Sequence, residues 1–146
     1  MTEIIKEQAL AHLVETCESF EQKFTPVLSI DGWRIAMLRH SKATDCNYFH
    51  QVERHNLTNE IFILTTGKAD LIVAENGEIP GQLYIFPMKL NVAYNILPSV
   101  WHHAILSEDA HIIIFEKSDT SRENSNYFEF DEKTIGTISS NFSIQA

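Results

Sequence analysis

Long apolar runs, clustered basic residues, paired cysteines and glycine are all scarce in this chain, and each shortage removes a class of function. No stretch is long and apolar enough to span a bilayer, so no membrane role is expected. Glu3, Lys6 and Glu7 stand where a secretion signal needs an unbroken apolar run, which predicts a cytoplasmic protein. Lys and Arg total 11 against 20 Asp and Glu, for a formal net charge of −9. With no basic cluster to neutralise phosphates, no nucleic-acid partner is expected. The two cysteines, Cys17 and Cys46, make no CxxC pair, and one falls in an expected helix and the other in a polar loop, so a disulfide framework is not predicted. Five glycines and four prolines are too few for a fibrous or low-complexity chain. What remains is 146 residues, 44% of them hydrophobic, enough for one compact domain with its own core.

Residues 1–25 read as an amphipathic helix. Ile4, Ile5, Ala9, Leu10, Leu13, Val14, Cys17 and Phe20 recur with helical period, and Thr2 is placed to cap the N-terminus. Such a helix must pack on the domain that follows or on a partner subunit. From about residue 26 to 130 the pattern changes to short β-like runs rich in Ile, Val, Phe, Tyr and Trp. Candidates are Trp33–Leu38, Tyr48–Val52, Ile61–Thr65, Ala69–Val73, Gln82–Phe86, Asn91–Ile96, Trp101–Leu106 and His111–Glu116. Asn76-Gly77, Pro80-Gly81 and the polar Ser107–Ala110 segment supply turns between them. Many short strands at near-regular spacing predict an all-β sandwich or barrel. Residues 131–146 read as a C-terminal tail, although Tyr127, Phe128 and Phe130 predict that the chain docks again after a polar stretch.

One constellation carries chemistry. His55 precedes Glu60 by a short turn, and six mostly apolar residues then lead to Gly67. Much later, Pro98-Ser99-Val100-Trp101-His102-His103 places further imidazoles just after a turn. A carboxylate entering an apolar strand is costly unless it is paired or ligates a cation. Two imidazoles and a carboxylate from separate strands suit a divalent transition metal with open positions, Mn, Fe, Ni or Zn.

In these residues the chain resembles the cupin superfamily. His55, Glu60 and Gly67 match the second histidine, glutamate and glycine of its first motif, and Pro98 and His103 match its second. The resemblance spans about residues 30–117. It implies a double-stranded β-helix, the jelly-roll barrel, with His55, Glu60 and His103 as metal ligands. Glu53 stands where the motif has another histidine. It shares strand parity with His55, and either donates an oxygen and acts as general base or pairs with Arg54, Arg39 or Lys42. Val100 and Ser107 stand where the second motif has glycine and asparagine. Proline spacing selects His103 as inward-facing with Trp101 and Ile105; a one-residue slip would select His102 instead. The Trp-His-His segment also resembles that of ureidoglycolate lyases.

The expected enzyme takes a small polar molecule into the barrel mouth and performs lyase, isomerase or oxygenase chemistry, with Glu53 and Glu60 as catalytic carboxylates. Tyr48, Tyr84, Tyr94 and Trp101 are candidates for lining the substrate pocket. Arg39 either binds a substrate carboxylate or is an ordinary strand-end charge. His12, His40, His50 and His111 follow no pattern and read as structural or exposed. The alternative is a non-catalytic metabolite-binding barrel with a degenerate or metal-free site. A homodimer is expected from the resemblance and the N-terminal stripe.

Overall fold

The structure, a computed structural model, describes residues 13–145. Ten strands form its body: β1 (Phe24–Ile30), β2 (Trp33–Arg39), β3 (Gln51–His55), β4 (Glu60–Thr66), β5 (Ala69–Ala74), β6 (Leu83–Pro87), β7 (Ala93–Ile96), β8 (Trp101–Leu106), β9 (His111–Lys117) and β10 (Ser125–Glu129). One α-helix, α1 (Glu132–Ser139), follows them. The strands make two five-stranded antiparallel sheets, ordered β1-β2-β9-β4-β7 and β10-β3-β8-β5-β6. The central quartets, 2-9-4-7 and 3-8-5-6, arise because the chain crosses repeatedly between the sheets; this is the strand order of a jelly roll. β1 and β10, which the alternation pattern does not reveal, extend one edge of each sheet. The expected strand Tyr48–Val52 starts later, at Gln51, because Cys46–Tyr48 forms a 3-10 turn capped by the Asp45 carboxylate.

Strand parity builds the core. Ala36 and Leu38 of β2, Phe62 and Leu64 of β4, Leu71 of β5, Ala104 and Leu106 of β8, and Ile112 and Ile114 of β9 meet between the sheets. Gly67 ends β4 with φ 73°, and a Cβ there would lie 2.5 Å from the Ala110 Cα. Only glycine allows the two hairpins to approach that closely.

The two chain ends differ from expectation. Residues 13–25 form no helix, and residues 1–12 of the expected N-terminal helix lie outside the described residues. Of the described residues of the apolar stripe, Leu13, Val14 and Phe20 are exposed, and an unburied stripe gives a helix no tertiary support. The helix lies instead in the C-terminal stretch. Asp131 caps α1 by accepting from the Thr134 N–H at 2.8 Å. Ile138 and Phe142 then bury against Phe49, Val52, Ile72, Trp101 and Ile105 on the outer face of the second sheet. The fully buried Asp70 carboxylate fastens this cover, accepting from the backbone N–H groups of Ser143 (2.7 Å) and Ile144 (3.2 Å) and from the Ser143 hydroxyl. Among the described residues no helix is long and apolar enough to cross a membrane.

Candidate functional site

Two polar rows face each other across one end of the apolar interior. In the first sheet, Arg34, Glu116 and Glu60 are consecutive cross-strand partners on β2, β9 and β4. In the second, Tyr127, Glu53 and His102 are partners on β10, β3 and β8. Cross-strand partners share a face, so both rows point inward, in parity with the core residues of their strands. β3 and β8 pair only at Glu53 and His102, and the sheet is open beside the site. A cavity of about 320 Å³ lies between the rows, at the small end of the 300–1,000 Å³ typical of ligand pockets. Phe24, Leu38, Phe62 and Ile114 supply its apolar wall.

At its centre, Glu60 Oε2 lies 2.7 Å from His102 Nε2 and 3.2 Å from His55 Nε2. Each imidazole is oriented from behind. The Val100 carbonyl, which can only accept, is 2.9 Å from His102 Nδ1. The Ser125 hydroxyl donates to the Ser121 carbonyl at 2.6 Å and therefore accepts at 2.7 Å from His55 Nδ1–H. Both Nδ1 atoms thus carry the proton, and both Nε2 atoms point at one carboxylate oxygen. This is the tautomer lock that metal-binding histidines use.

The electrostatics follow from this contact. Burial works to raise Glu60, but hydrogen bonds from His102 and His55 outweigh it and hold the carboxyl down at about 2. Burial works to lower His102, yet the Glu60 carboxylate lifts it to about 9; His55 is raised by the same balance. Burial raises Glu53, and the imidazoles of His102 and His55 only partly offset it. Glu116 is also raised by burial and by the nearby Glu60 charge, against the Arg34 guanidinium bound to it at 2.6 and 3.0 Å.

The donor set fits a divalent ion. One such ion with bonds of about 2.0–2.2 Å needs donors roughly 3–4 Å apart. Donor atoms of Glu53, His55 and His102 lie within 4.8 Å of one another, and so do those of His55, Glu60 and Glu116. Two imidazoles and two or three carboxylates suit Mn, Fe, Ni or Zn.

Several expected positions are corrected. His103 is not beside Glu60. Its ring faces the outer side of β8, 5.4 Å from the Phe49 ring centroid, with Nε2 buried and unpartnered among the described residues. The cause is visible in the turn: the left-handed residue is Ser99, at φ 66°, and not the Val100 position where the motif has glycine. The strand is therefore read one residue early, and His102 takes the inward place. Trp101 accordingly faces outward; its indole N–H donates to the Gly77 carbonyl at 3.0 Å under the Arg54 guanidinium. Arg39 donates to the Ser19 carbonyl and stacks on Phe20, away from the cavity. Tyr48 and Tyr84 are exposed, and Tyr94 packs on Phe86 with its hydroxyl accepting from the Lys89 N–H. None of the three tyrosines lines the cavity. Of the expected site residues, Glu53 and His55 fall in one of the two donor groups and His55 and Glu60 in the other. Arg34, Glu116, Arg122 and Tyr127 were missed, although Glu116 shares parity with Ile112 and Ile114 and is costly on that face without a partner.

The sequence matches no protein-family model and no curated protein. Its likeness lies in solved structures. Pac13, described as a unique nucleoside dehydratase with a β-barrel, aligns over 81% of this chain and 89% of its own at 9% identity and TM-score 0.55. A variant of the Streptomyces protein with uridine covers 92% of this chain and 97% of that one at 10% identity and TM-score 0.55. A cupin-2 domain protein from Shewanella frigidimarina covers 67% and 84% at 18% identity and TM-score 0.47. The fold is cupin-like. At these identities the likeness concerns architecture, and the chemistry must be read from the site itself.

Proposed function

We propose that the chain is a small-molecule enzyme of the lyase or isomerase type, with His55, Glu60 and His102 as a divalent-metal centre and Glu53 beside it. One observation carries this reading. Both histidines have Nδ1 tied to an acceptor, and both Nε2 atoms converge on Glu60 Oε2 inside a cavity of ligand size. A bound divalent ion would supply Lewis acidity to a substrate oxygen. His55, His102 and Glu60 would hold it, and the Val100 carbonyl and Ser125 hydroxyl keep the two rings from turning away. Glu53, 3.9 Å from His55 Nε2 and raised by burial, is placed to accept a proton from a substrate carbon or hydroxyl.

Metal analysis of protein purified without added metal tests the centre. Stoichiometric metal that is lost in His102→Ala is expected. Protein that stays metal-free, with a melting temperature unmoved by added Mn, Fe, Ni or Zn, overturns it. Ureidoglycolate is the first compound to assay, by glyoxylate release. A second reading rests on the 2.7 Å contact between His102 and Glu60. There the imidazolium–carboxylate pair acts as a metal-free proton donor, and turnover survives chelation.

A homodimer is part of the proposal. The outer face of the first sheet presents Ile35, Met37, Ile61, Ile63, Ile113 and Phe115 without an intervening charge. A second copy would bury this face against its own equivalent, and that apolar burial would have to offset the repulsion between two chains of net charge −9. Light scattering that gives a monomer at micromolar concentration contradicts it.

A further inference from the structure

Of the four arginines, three donate hydrogen bonds to other described residues. Arg34 binds Glu116 and the Ser118 and Thr120 carbonyls. Arg39 donates to Ser19, and Arg54 to Asn126 and Gly77. Arg122 differs. Its guanidinium lies 5.1 Å over the Tyr127 ring at the wall of the same cavity, and no described residue accepts a hydrogen bond from it. Stacking uses the face of the guanidinium and leaves its in-plane N–H fork open. The segment carrying it is tied to the central cluster: Ser121 caps the 3-10 turn Arg122–Asn124, and its carbonyl accepts from Ser125, which in turn accepts from His55. Tyr127 is the cross-strand partner of Glu53.

We propose that Arg122, held flat on Tyr127, receives a carboxylate of the substrate, so that the molecule presented to His55, Glu60 and His102 is a small organic monoanion with a hydroxyl or carbonyl oxygen at its other end. This rests on the metal-centre reading for the role of that other end. A single open fork matches the two oxygens of one carboxylate. A phosphate dianion fits less well, because Glu53, Glu60 and Glu116 line the same cavity and would repel its second charge. In the free protein the guanidinium is near enough to Glu53 to lower it, without a direct ion pair between them.

The test is calorimetric titration of the full-length chain, metal-free and loaded with Mn or Zn, with racemic lactate, lactamide and inorganic phosphate. Lactate and lactamide share a skeleton and differ in charge. Saturable lactate binding is expected, with lactamide weaker by about tenfold or more. Arg122→Gln should lose about tenfold in lactate affinity while keeping its melting temperature and its metal affinity. Arg122→Lys should fall between, keeping the charge without the fork. Equal binding of lactate and lactamide, wild-type lactate affinity in Arg122→Gln, tighter binding of phosphate than lactate, or no lactate binding at all overturns the proposal. The two readings fail separately. A protein that binds no metal but discriminates lactate through Arg122 removes only the metal centre. One that binds metal but ignores the Arg122 change removes only the carboxylate receptor.

Discussion

His102 and His103 are chain neighbours on β8, the first buried and the second half-buried, and they live in opposite chemical surroundings. On the inner face His102 meets the Glu60 carboxylate at 2.7 Å and is lifted to about 9. On the outer face His103 meets the Phe49 ring, and burial pushes it down to about 4. Burial acts against the charged form in both cases. The partner decides the outcome, and strand parity decides the partner. The second sheet therefore has a chemical face and a structural face, one residue apart in sequence.

The largest expected effect separates these faces directly. His102→Ala should weaken metal binding by well over about a hundredfold, since loss of an orienting outer contact alone costs 10–100-fold. His103→Ala should leave metal affinity within a factor of a few. Equal losses in competition titrations with a chelator would erase the distinction. Phe142→Ala is the mirror experiment on the structural face. Phe142 is 4% exposed beneath the C-terminal cover, so its truncation should cost about 3 kcal/mol in denaturant unfolding without touching metal affinity.

A third expectation concerns pH in metal-stripped protein. His102 is raised from 6.5 to about 9, so its contribution to stability is complete below pH 6.5 and is lost as pH rises to 9. Glu60, lowered from 4.5 to about 2, contributes above pH 4.5 and loses that contribution as pH falls toward 2. His103, lowered to about 4, makes the fold lose stability as pH falls from 6.5 toward 4. The melting temperature should therefore decline between pH 6.5 and 9 in wild type and stay flatter in Glu60→Gln. An unchanged alkaline decline in that variant would show that the inner pair is not its source. The smallest effect belongs to Ser125→Ala, which frees the His55 ring and should weaken metal binding about tenfold. It should also raise the mobility of the segment that carries Arg122.

The barrel was legible because its signals are local: alternation in β2, β4, β8 and β9, turn residues between them, and Gly67 where no Cβ fits. The site was legible only in part. His55 and Glu60 sit next to a turn that fixes their register, and Glu53 shares their parity. His102 was displaced by one position because Ser99, a residue that rarely takes a left-handed backbone, does so in place of glycine. Arg34 and Glu116 required knowing which strands are neighbours, and that is a long-range property of the two Greek keys. Over residues 13–25 the N-terminal stripe misled because periodicity reports what a segment could bury, while Leu13, Val14 and Phe20 stay exposed.

The Asp70 clasp also has a consequence for how the molecule is made. β5 lies inside its sheet, between β8 and β6, but among the described residues the Asp70 carboxylate is satisfied by Ser143 and Ile144, more than seventy residues further on. During synthesis the second sheet must wait with a bare acid and an open apolar face until residue 144 has left the ribosome. A nascent chain stalled before that point would carry an exposed Ile72, Ile105 and Trp101 surface, and so would be a client for chaperones where the finished protein is not.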